Sequence, residues 1–251
     1  MDNIDNDLEG RKTTRGSRTL WFVFAAGLLF AFQQLVSYIS GAVANAIDFS
    51  AVDKDNAFVW ICVHHIVQML VGLLAVVCLN KIYGLQFNLA AKKSKAGARY
   101  TLFFSLAVFA VTLVCDVVFY VKGLIEPCAF PLNATNVVGT LGFQLLLSGP
   151  SEKIVFRALP ITILLSILYE NGRREKTAAV VVSAFLFSIA HINWYTDPFS
   201  LSFSWLQLGY AFVFALVYGV TYIRTKSVIY PMIMHSLSNV IMVGLGYLFA
   251  A

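Results

Sequence analysis

Charged residues are scarce in this sequence: Asp, Glu, Lys and Arg make up only 12% of the 251 residues, whereas 59% are hydrophobic. This composition excludes an ordinary water-soluble globular domain, which needs a larger polar surface. The four cysteines include no C-x-x-C pair, and we interpret them as free thiols, those within apolar runs being buried. The sequence also lacks two similar halves with paired broken helices, which argues against a small transporter.

Long apolar runs dominate what is present. A helix of about 20 residues crosses a hydrocarbon core of about 30 Å. Seven such runs lie at about 20–45, 57–80, 101–123, 138–169, 177–193, 201–223 and 227–250. The fourth contains Gly149-Pro150, which predicts a kink or break just before Glu152 and allows an eighth crossing or a re-entrant segment. The sequence therefore predicts an all-α fold, a polytopic transmembrane helix bundle of seven to eight helices.

Positive charges alternate between the predicted loops. Fourteen of the 18 Lys and Arg residues lie in the N-terminal tail or after the second, fourth and sixth runs, and only Lys54 and Lys122 lie in the other loops. The positive-inside rule then predicts a cytoplasmic N-terminus. The net charge of +5 reflects this topology and contact with anionic headgroups, so we expect membrane lipids as partners and no nucleic acid.

The predicted domain organisation is simple. Residues 20–251 are expected to form a single integral-membrane domain, with the candidate catalytic residues within 138–251, and residues 1–19 a disordered cytoplasmic tail. We expect a multi-pass protein, and the compact length and charge pattern favour a bacterial cell membrane.

Five polar residues interrupt the apolar runs of the C-terminal half: Glu152, Arg157, His191, His235 and Asn239. An ionisable side chain costs several kcal/mol inside a bilayer, so an intramembrane carboxylate with two imidazoles indicates a functional site. One carboxylate, two imidazoles and one carboxamide can together activate water and stabilise an oxyanion.

These residues resemble the motifs of the CPBP intramembrane proteases, which include the type II CAAX prenyl endopeptidases and the bacterial Abi or bacteriocin-processing proteins. The family pattern is Glu-Glu-x-x-x-Arg, then Phe-x-x-x-His, then His-x-x-x-Asn, on three different transmembrane helices. This sequence matches it in the same order with Glu152 and Arg157, with Phe187 and His191, and with His235 and Asn239.

The resemblance implies a role for each of these residues. Glu152 is expected to be the general base that activates a water molecule. His191 and His235 are expected to position that water or to donate to the oxyanion, with Asn239 as a neutral donor. Arg157 is expected either to orient the carboxylate or to hold a pair of helices together.

Lys153 stands where the family pattern has its second glutamate. Residues four apart share a helix face, so Lys153 and Arg157 would repel each other on one stripe. Three interpretations are open: Lys153 is neutral or reaches the membrane surface, Glu152 becomes the partner of Arg157, or the site is inactive. We favour an active enzyme, because the carboxylate that the family uses on water is present as Glu152.

The resemblance leaves the cofactor open, because the family is described both as metalloproteases and as glutamate-dependent proteases. If zinc takes part, its ligands would be Glu152, His191 and His235. The sequence has no H-E-x-x-H helix that would decide the question. His64 and His65 are adjacent and diverge by about 100° on a helix, so we expect that they cannot both face the site and interpret them as packing or polar-pathway residues.

The expected function is intramembrane endopeptidase activity, a hydrolysis of a peptide bond in a membrane-associated or lipidated peptide or protein. The alternative is a non-catalytic family member that acts as a membrane binding or immunity protein. Hydrolysis that is lost in Glu152→Ala would distinguish the two.

Overall fold

Long helices joined by short loops make up this computed structural model, which describes residues 2–168, 172–196 and 198–250. The helices run in chain order as follows: α1 (Asp2–Asn45), α2 (Val59–Tyr83), α3 (Lys95–Val121), α4 (134–168), α5 (Arg173–Ile189), α6 (Trp205–Thr225) and α7 (Ile229–Ala250). Of these, α1, α2, α3, α6 and α7 contain segments long and apolar enough to cross a membrane. The predicted all-α transmembrane bundle is therefore confirmed.

Helix α4 is continuous but contains two π-helical turns. It consists of α-helical Ala134–Phe143, π-helical Gln144–Ser148, α-helical Gly149–Lys153, π-helical Ile154–Ala158 and α-helical Leu159–Leu168. Gly149-Pro150 does not break the helix, and a π turn lies directly before it, at the place where proline interrupts the regular hydrogen bonds of an α-helix. No eighth crossing or re-entrant segment arises from 134–168.

A short β-hairpin follows α5. Strands β1 (Asn193–Thr196) and β2 (Phe199–Ser202) pair antiparallel, with Trp194 opposite Leu201. The predicted fifth helix, 177–193, therefore ends earlier, at Ile189, and the predicted start of the sixth at 201 falls in β2. Pro198 cannot continue a helix and the aromatic residues around it favour strands, so apolarity alone misplaced these two boundaries.

Disorder of the tail 1–19 stays a prediction, and α1 begins within that range. One smaller expectation differs from the structure. The cysteines of the apolar runs are not buried: Cys78 and Cys115 are exposed and Cys62 is half-buried, so hydrophobic surroundings in sequence did not indicate a place in the core.

The core of the bundle surrounds the middle of α4. Every residue of 148–161 is buried except Pro150 and Glu152, which are half-buried. Gly149 lies against the backbone carbonyl of Met232 in α7, where a β-carbon would not fit. Gly72 of α2 likewise lies against Val155. Small residues at such crossings let membrane helices approach closely, and this approach brings α2 and α7 up to Glu152 from two sides.

Candidate active site

Each oxygen of the Glu152 carboxylate lies within hydrogen-bond distance of a side-chain nitrogen. Oε1 lies 3.4 Å from His65 Nε2 of α2, and Oε2 lies 3.0 Å from His235 Nε2 of α7 and 3.2 Å from Lys153 Nζ. The Glu152 side chain is 16% exposed, so its carboxylate is held in place but still reachable. A carboxylate fixed in this way, on rigid helices, is suited to act on a bound water molecule.

Lys153 is fully buried and does not reach the membrane surface. Its ammonium lies 4.0 Å from the centre of the Phe187 ring and 5.0 Å from that of Tyr218, in addition to its contact with Glu152. Aromatic faces attract a cation, and the effect is larger where water is excluded. Lys153 thus lies beside Glu152, which contradicts the interpretation that it reaches the membrane surface, and whether the site is active stays a prediction.

Arg157 is also fully buried, but it faces the helix pair rather than the carboxylate. Its Nη1 donates to the backbone carbonyl of Phe156 and, at 3.0 Å each, to the carbonyl and the hydroxyl oxygen of Ser183 in α5. Of the two roles expected for Arg157, this geometry favours holding α4 and α5 together. Its Nε and Nη2 have no hydrogen-bond partner among the described residues.

Asn239 supports the site from one helical turn beyond His235. Its amide donates to Gln144 Oε1 at 2.8 Å and to Ser148 Oγ at 3.3 Å, and it lies 3.2 Å from His235 Nε2. Both partners on α4 belong to the first π segment. The geometry favours a role for Asn239 in fixing that segment and the His235 ring, since its amide hydrogens already have acceptors.

His191 lies just beyond the end of α5, in the turn before β1, rather than on the predicted helix. Its Nδ1 is 2.9 Å from the carbonyl oxygen of Phe187, and its ring meets the Phe187 ring edge-on with centroids 4.8 Å apart. A hydrogen on Nδ1 satisfies that carbonyl and leaves Nε2 for water or a ligand.

Two cavities meet at Glu152. The smaller, about 220 Å³, brings together Glu152, His191, His235 and Asn239, as the sequence predicts. We call it the inner cavity. The larger, about 620 Å³, extends from Glu152 and His191 to α1, α2 and the hairpin, and we call it the outer cavity. Glu152, Phe187 and His191 line both, so a chain that passes from one cavity to the other must cross the carboxylate.

Sequence reasoning missed the contribution of α2. His64 and His65 both line the outer cavity, and His65 contacts Glu152, so the expectation that only one of them can face the site is wrong. The cavity is wide enough to include neighbouring positions of one helix. The signal was present, because polar side chains within an apolar run are costly and rarely without a role.

The residues present do not fit a zinc ion. Among the described residues, no group of three His, Cys, Asp or Glu side chains is placed to hold a metal ion. Oε2 of Glu152 already faces the ammonium of Lys153 at 3.2 Å, which would repel a second positive charge. The candidate ligand set of Glu152, His191 and His235 therefore meets a cation where the metal would bind.

One comparison with known proteins gives a match. Residues 134–241 match the family model described as type II CAAX prenyl endopeptidase Rce1-like. The match includes all three motifs and confirms the resemblance over α4 to the first half of α7. Helices α1, α2 and α3 lie outside it. No curated protein and no solved structure matches the chain.

Proposed function

We propose, from the family match over residues 134–241 and the geometry around Glu152, that the protein hydrolyses a peptide bond of a membrane-associated or lipidated peptide or protein. The observation that carries the proposal is the Glu152 carboxylate itself, which has a side-chain nitrogen close to each oxygen and lies where two cavities meet. If this position had only a structural role, an apolar side chain would serve it better than a carboxylate within the membrane.

In the proposed reaction Glu152 takes a proton from a water molecule as the water oxygen attacks the carbonyl carbon of the substrate. The carbon–nitrogen bond then breaks, and the proton passes from Glu152 to the leaving amine. His191 Nε2 can accept a hydrogen bond from that water molecule, because the hydrogen of the ring is on Nδ1, which contacts the Phe187 carbonyl. His235, Lys153 and His65 keep the carboxylate oriented while this happens.

The test is hydrolysis of internally quenched peptides, one plain and one carrying a prenylated C-terminal CAAX sequence, by the purified protein in detergent. We expect Glu152→Ala to lower kcat/KM by about 10²–10⁴-fold, the usual contribution of a general base. Asp116→Ala is the matched control, because Asp116 is a carboxylate of α3 outside both cavities. Equal activity of wild type and Glu152→Ala would overturn the proposal.

The second candidate function is peptide binding without catalysis, and the contact of Lys153 with Glu152 Oε2 favours it. A carboxylate with an ammonium partner is a weaker base towards water. In that case the wild type binds the same peptides without cleaving them, and Lys153→Glu, which restores the family residue, makes the protein hydrolytic.

We also propose that the N-terminus is cytoplasmic in a bacterial cell membrane, on the strength of the alternating positive charges. The exposed loop residues Lys122 and Lys92 lie after α3 and before it. In a variant whose four native cysteines are replaced by serine, a cysteine introduced at Lys122 should react with a membrane-impermeant thiol reagent added outside the cell, and one at Lys92 should not. The reverse pattern would contradict this orientation.

A further inference from the structure

Buried carboxamides without partners line the outer cavity. Gln33 of α1 is 3% exposed and Gln68 of α2 is 6% exposed. Among the described residues, neither the amide nitrogen nor the oxygen of Gln33 has a hydrogen-bond partner, and the amide nitrogen of Gln68 has none either. An unpaired buried polar group is costly, more so within a membrane helix, so these side chains are expected to have a partner in function.

The same cavity leads to the proposed catalytic carboxylate. Gln33, Gln68 and Glu152 all line it, and strand β1 closes one side through Trp194, whose ring contacts Phe30 of α1 edge-on. Its volume of about 620 Å³ lies within the range of sites for small ligands or short segments of chain. A ligand that occupies it would therefore extend from Glu152 between α1 and α2.

The lining indicates a neutral, polar ligand. Apart from Glu152 and the imidazoles of His64, His65 and His191, the described residues around the outer cavity include no ionisable Asp, Glu, Lys or Arg, so an anionic ligand would find no lysine or arginine to pair with. A primary carboxamide offers an N–H donor and a C=O acceptor side by side, which matches the N–H and the C=O of one residue in an extended chain, because those two groups point the same way. Gln33, with both atoms unpaired, can pair with the C=O and the N–H of one residue in an extended chain.

From these observations we infer that α1 and α2 build a subsite for the main chain of an extended peptide, in which Gln33 and Gln68 bind backbone amide groups of the substrate on one side of the scissile bond. This inference rests on the proposed function and extends it to helices outside the family match, which begins at residue 134. Because this part of the site would recognise the backbone of the substrate and not its side chains, it would accept substrates of different sequence.

The experiment uses Gln33→Met and Gln68→Met in the full-length protein, with the internally quenched peptide as the probe. Methionine keeps the length of the side chain and removes its polar atoms, so we expect the fold to be retained and its thermal stability to be unchanged or raised. We expect KM to rise roughly three- to tenfold for each variant, with kcat within about twofold, as for the loss of a neutral hydrogen bond that does not change in the transition state.

Ser105→Ala is the matched control. Ser105 Oγ of α3 is also a buried polar atom without a partner among the described residues, but it lies outside the cavities at Glu152. Its replacement should affect stability in the same direction and leave KM unchanged. A rise in KM with Ser105→Ala equal to that with Gln33→Met would show a general effect of packing and would overturn the subsite.

A modified peptide tests the backbone contact directly. Binding is measured on the Glu152→Gln background, which prevents turnover, with peptides in which one amide at a time is replaced by an ester. We expect the ester at one position to weaken binding to the Glu152→Gln protein. The same ester should have no further effect when Gln33→Met is also present, because the two changes remove the same hydrogen bond. Additive losses at every position would contradict the pairing.

The outcomes separate the two proposals. If Glu152→Ala abolishes hydrolysis but both glutamine variants keep the wild-type KM and peptide affinity, the subsite is wrong, the amides hold only water, and the proposed function stands. If no variant hydrolyses the peptide but Gln33→Met weakens its binding, the subsite stands and the hydrolytic function is wrong. Absence of both binding and hydrolysis overturns both.

Discussion

Residues 148–161 of α4 and helix α3 are both apolar helical segments of one bundle, but they occupy opposite environments. Helix α3 has the highest mean hydropathy of the five candidate spans, 2.5, and only 6% of that window is buried. Residues 148–161 include Glu152, Lys153 and Arg157. All residues of this segment except two are buried. The more polar segment is therefore the interior one.

This contrast follows from the solvent. A helix that faces lipid gains nothing from being hidden in protein, since lipid tails are as apolar as leucine, whereas polar side chains and close helix crossings need protein around them. Hydropathy thus identifies which segments enter the membrane, and the small and polar residues within them indicate which lie inside the bundle.

The largest effect is expected from removing the buried ammonium of α4. Lys153→Met leaves the Glu152 carboxylate without its fully buried counter-ion, and breaking such a pair costs about 3–5 kcal/mol. Unfolding in detergent, followed by heating or by denaturant, should show this loss. Lys122→Met, at the exposed end of α3, is the control and should change stability by less than about 0.5 kcal/mol. Equal effects would remove the distinction between the two regions.

A matched pair of leucines sharpens the comparison. Leu159 of α4 is 1% exposed and Leu106 of α3 is 55% exposed. Leu159→Ala should destabilise the protein by about 2–5 kcal/mol through the cavity it leaves, and Leu106→Ala by less than about 0.5 kcal/mol. Denaturation of the two variants under identical detergent conditions provides the measurement. A large loss for Leu106→Ala would mean that α3 packs against protein at that face, for instance another subunit.

Substitutions of two glycines test how closely α4 and α3 approach α7. A β-carbon at Gly149 would clash with the Met232 backbone carbonyl and Ser236 Oγ, whereas one at Gly97 of α3 would meet the Tyr230 ring, which is a side chain. Backbone cannot move aside as a ring can, so Gly149→Ala should cost about 1–3 kcal/mol or more and Gly97→Ala less. Gly142→Ala is the control, because nothing lies within contact distance there. Equal melting temperatures for Gly149→Ala and Gly142→Ala would contradict the close crossing of α4 and α7.

His65 tests whether α2 belongs with the interior region. His65→Phe keeps an aromatic ring beside Phe143 but removes the contact with Glu152 Oε1, and we expect kcat to fall about 10- to 100-fold with little change in KM. His65→Gln, which retains a donor, should recover part of the activity. A loss of kcat accompanied by an equal loss of thermal stability in both variants would instead indicate a packing role.

The smallest effect concerns the loop before α2. The Asp53 carboxylate is buried, which by itself raises its pKa, but it accepts hydrogen bonds from the backbone N–H groups of Val59, Phe58 and Ala57, and these hold the pKa below its ordinary value of 3.8. The charged form is therefore stabilised by folding. Asp53→Asn should cost about 1 kcal/mol, as other helix-start substitutions do.

The direction of the Asp53 pKa shift predicts how the stability of the protein depends on pH. Because the folded pKa is lowered, the stabilisation is complete above the unfolded value near 3.8 and is lost as pH falls through the folded pKa. The difference in melting temperature between wild type and Asp53→Asn should therefore be constant near neutral pH and shrink below about pH 4. A difference that grows on acidification would contradict this assignment.

Much of the architecture was predictable because it depends on local chemistry. Apolar runs of bilayer length located the helices, and intramembrane Glu152, His191, His235 and Asn239 were expected in one cavity, where the structure places them. The hairpin was not anticipated, because apolarity does not separate a short strand from the end of a helix. The contact of Lys153 with its neighbour Glu152 was not anticipated either, although Lys153 and Arg157 do share a face, where both lie against the rings of Phe187 and Tyr218.

The parts that were not predictable depend on contacts between distant residues. His65 and Glu152 are 87 positions apart, and nothing in either local sequence specifies the contact. The direction of Arg157 towards Ser183, 26 positions away, depends in the same way on how α4 and α5 pack. Residue type indicated that these side chains matter, and packing determined what each one touches.

The two π turns on either side of Gly149–Lys153 make the length of α4 part of the site. A π turn closes its hydrogen bonds one residue later than an α turn, so each carries one residue more than regular winding requires. A single-residue deletion within 154–158 would therefore restore α winding with little rotation of the segments on either side, whereas the same deletion in α-helical Gly149–Lys153 would rotate everything before it by about 100° relative to everything after it. Deletions should be tolerated far better at the two π turns than between them, and deletion scanning along α4 would map the stretch whose register the carboxylate depends on.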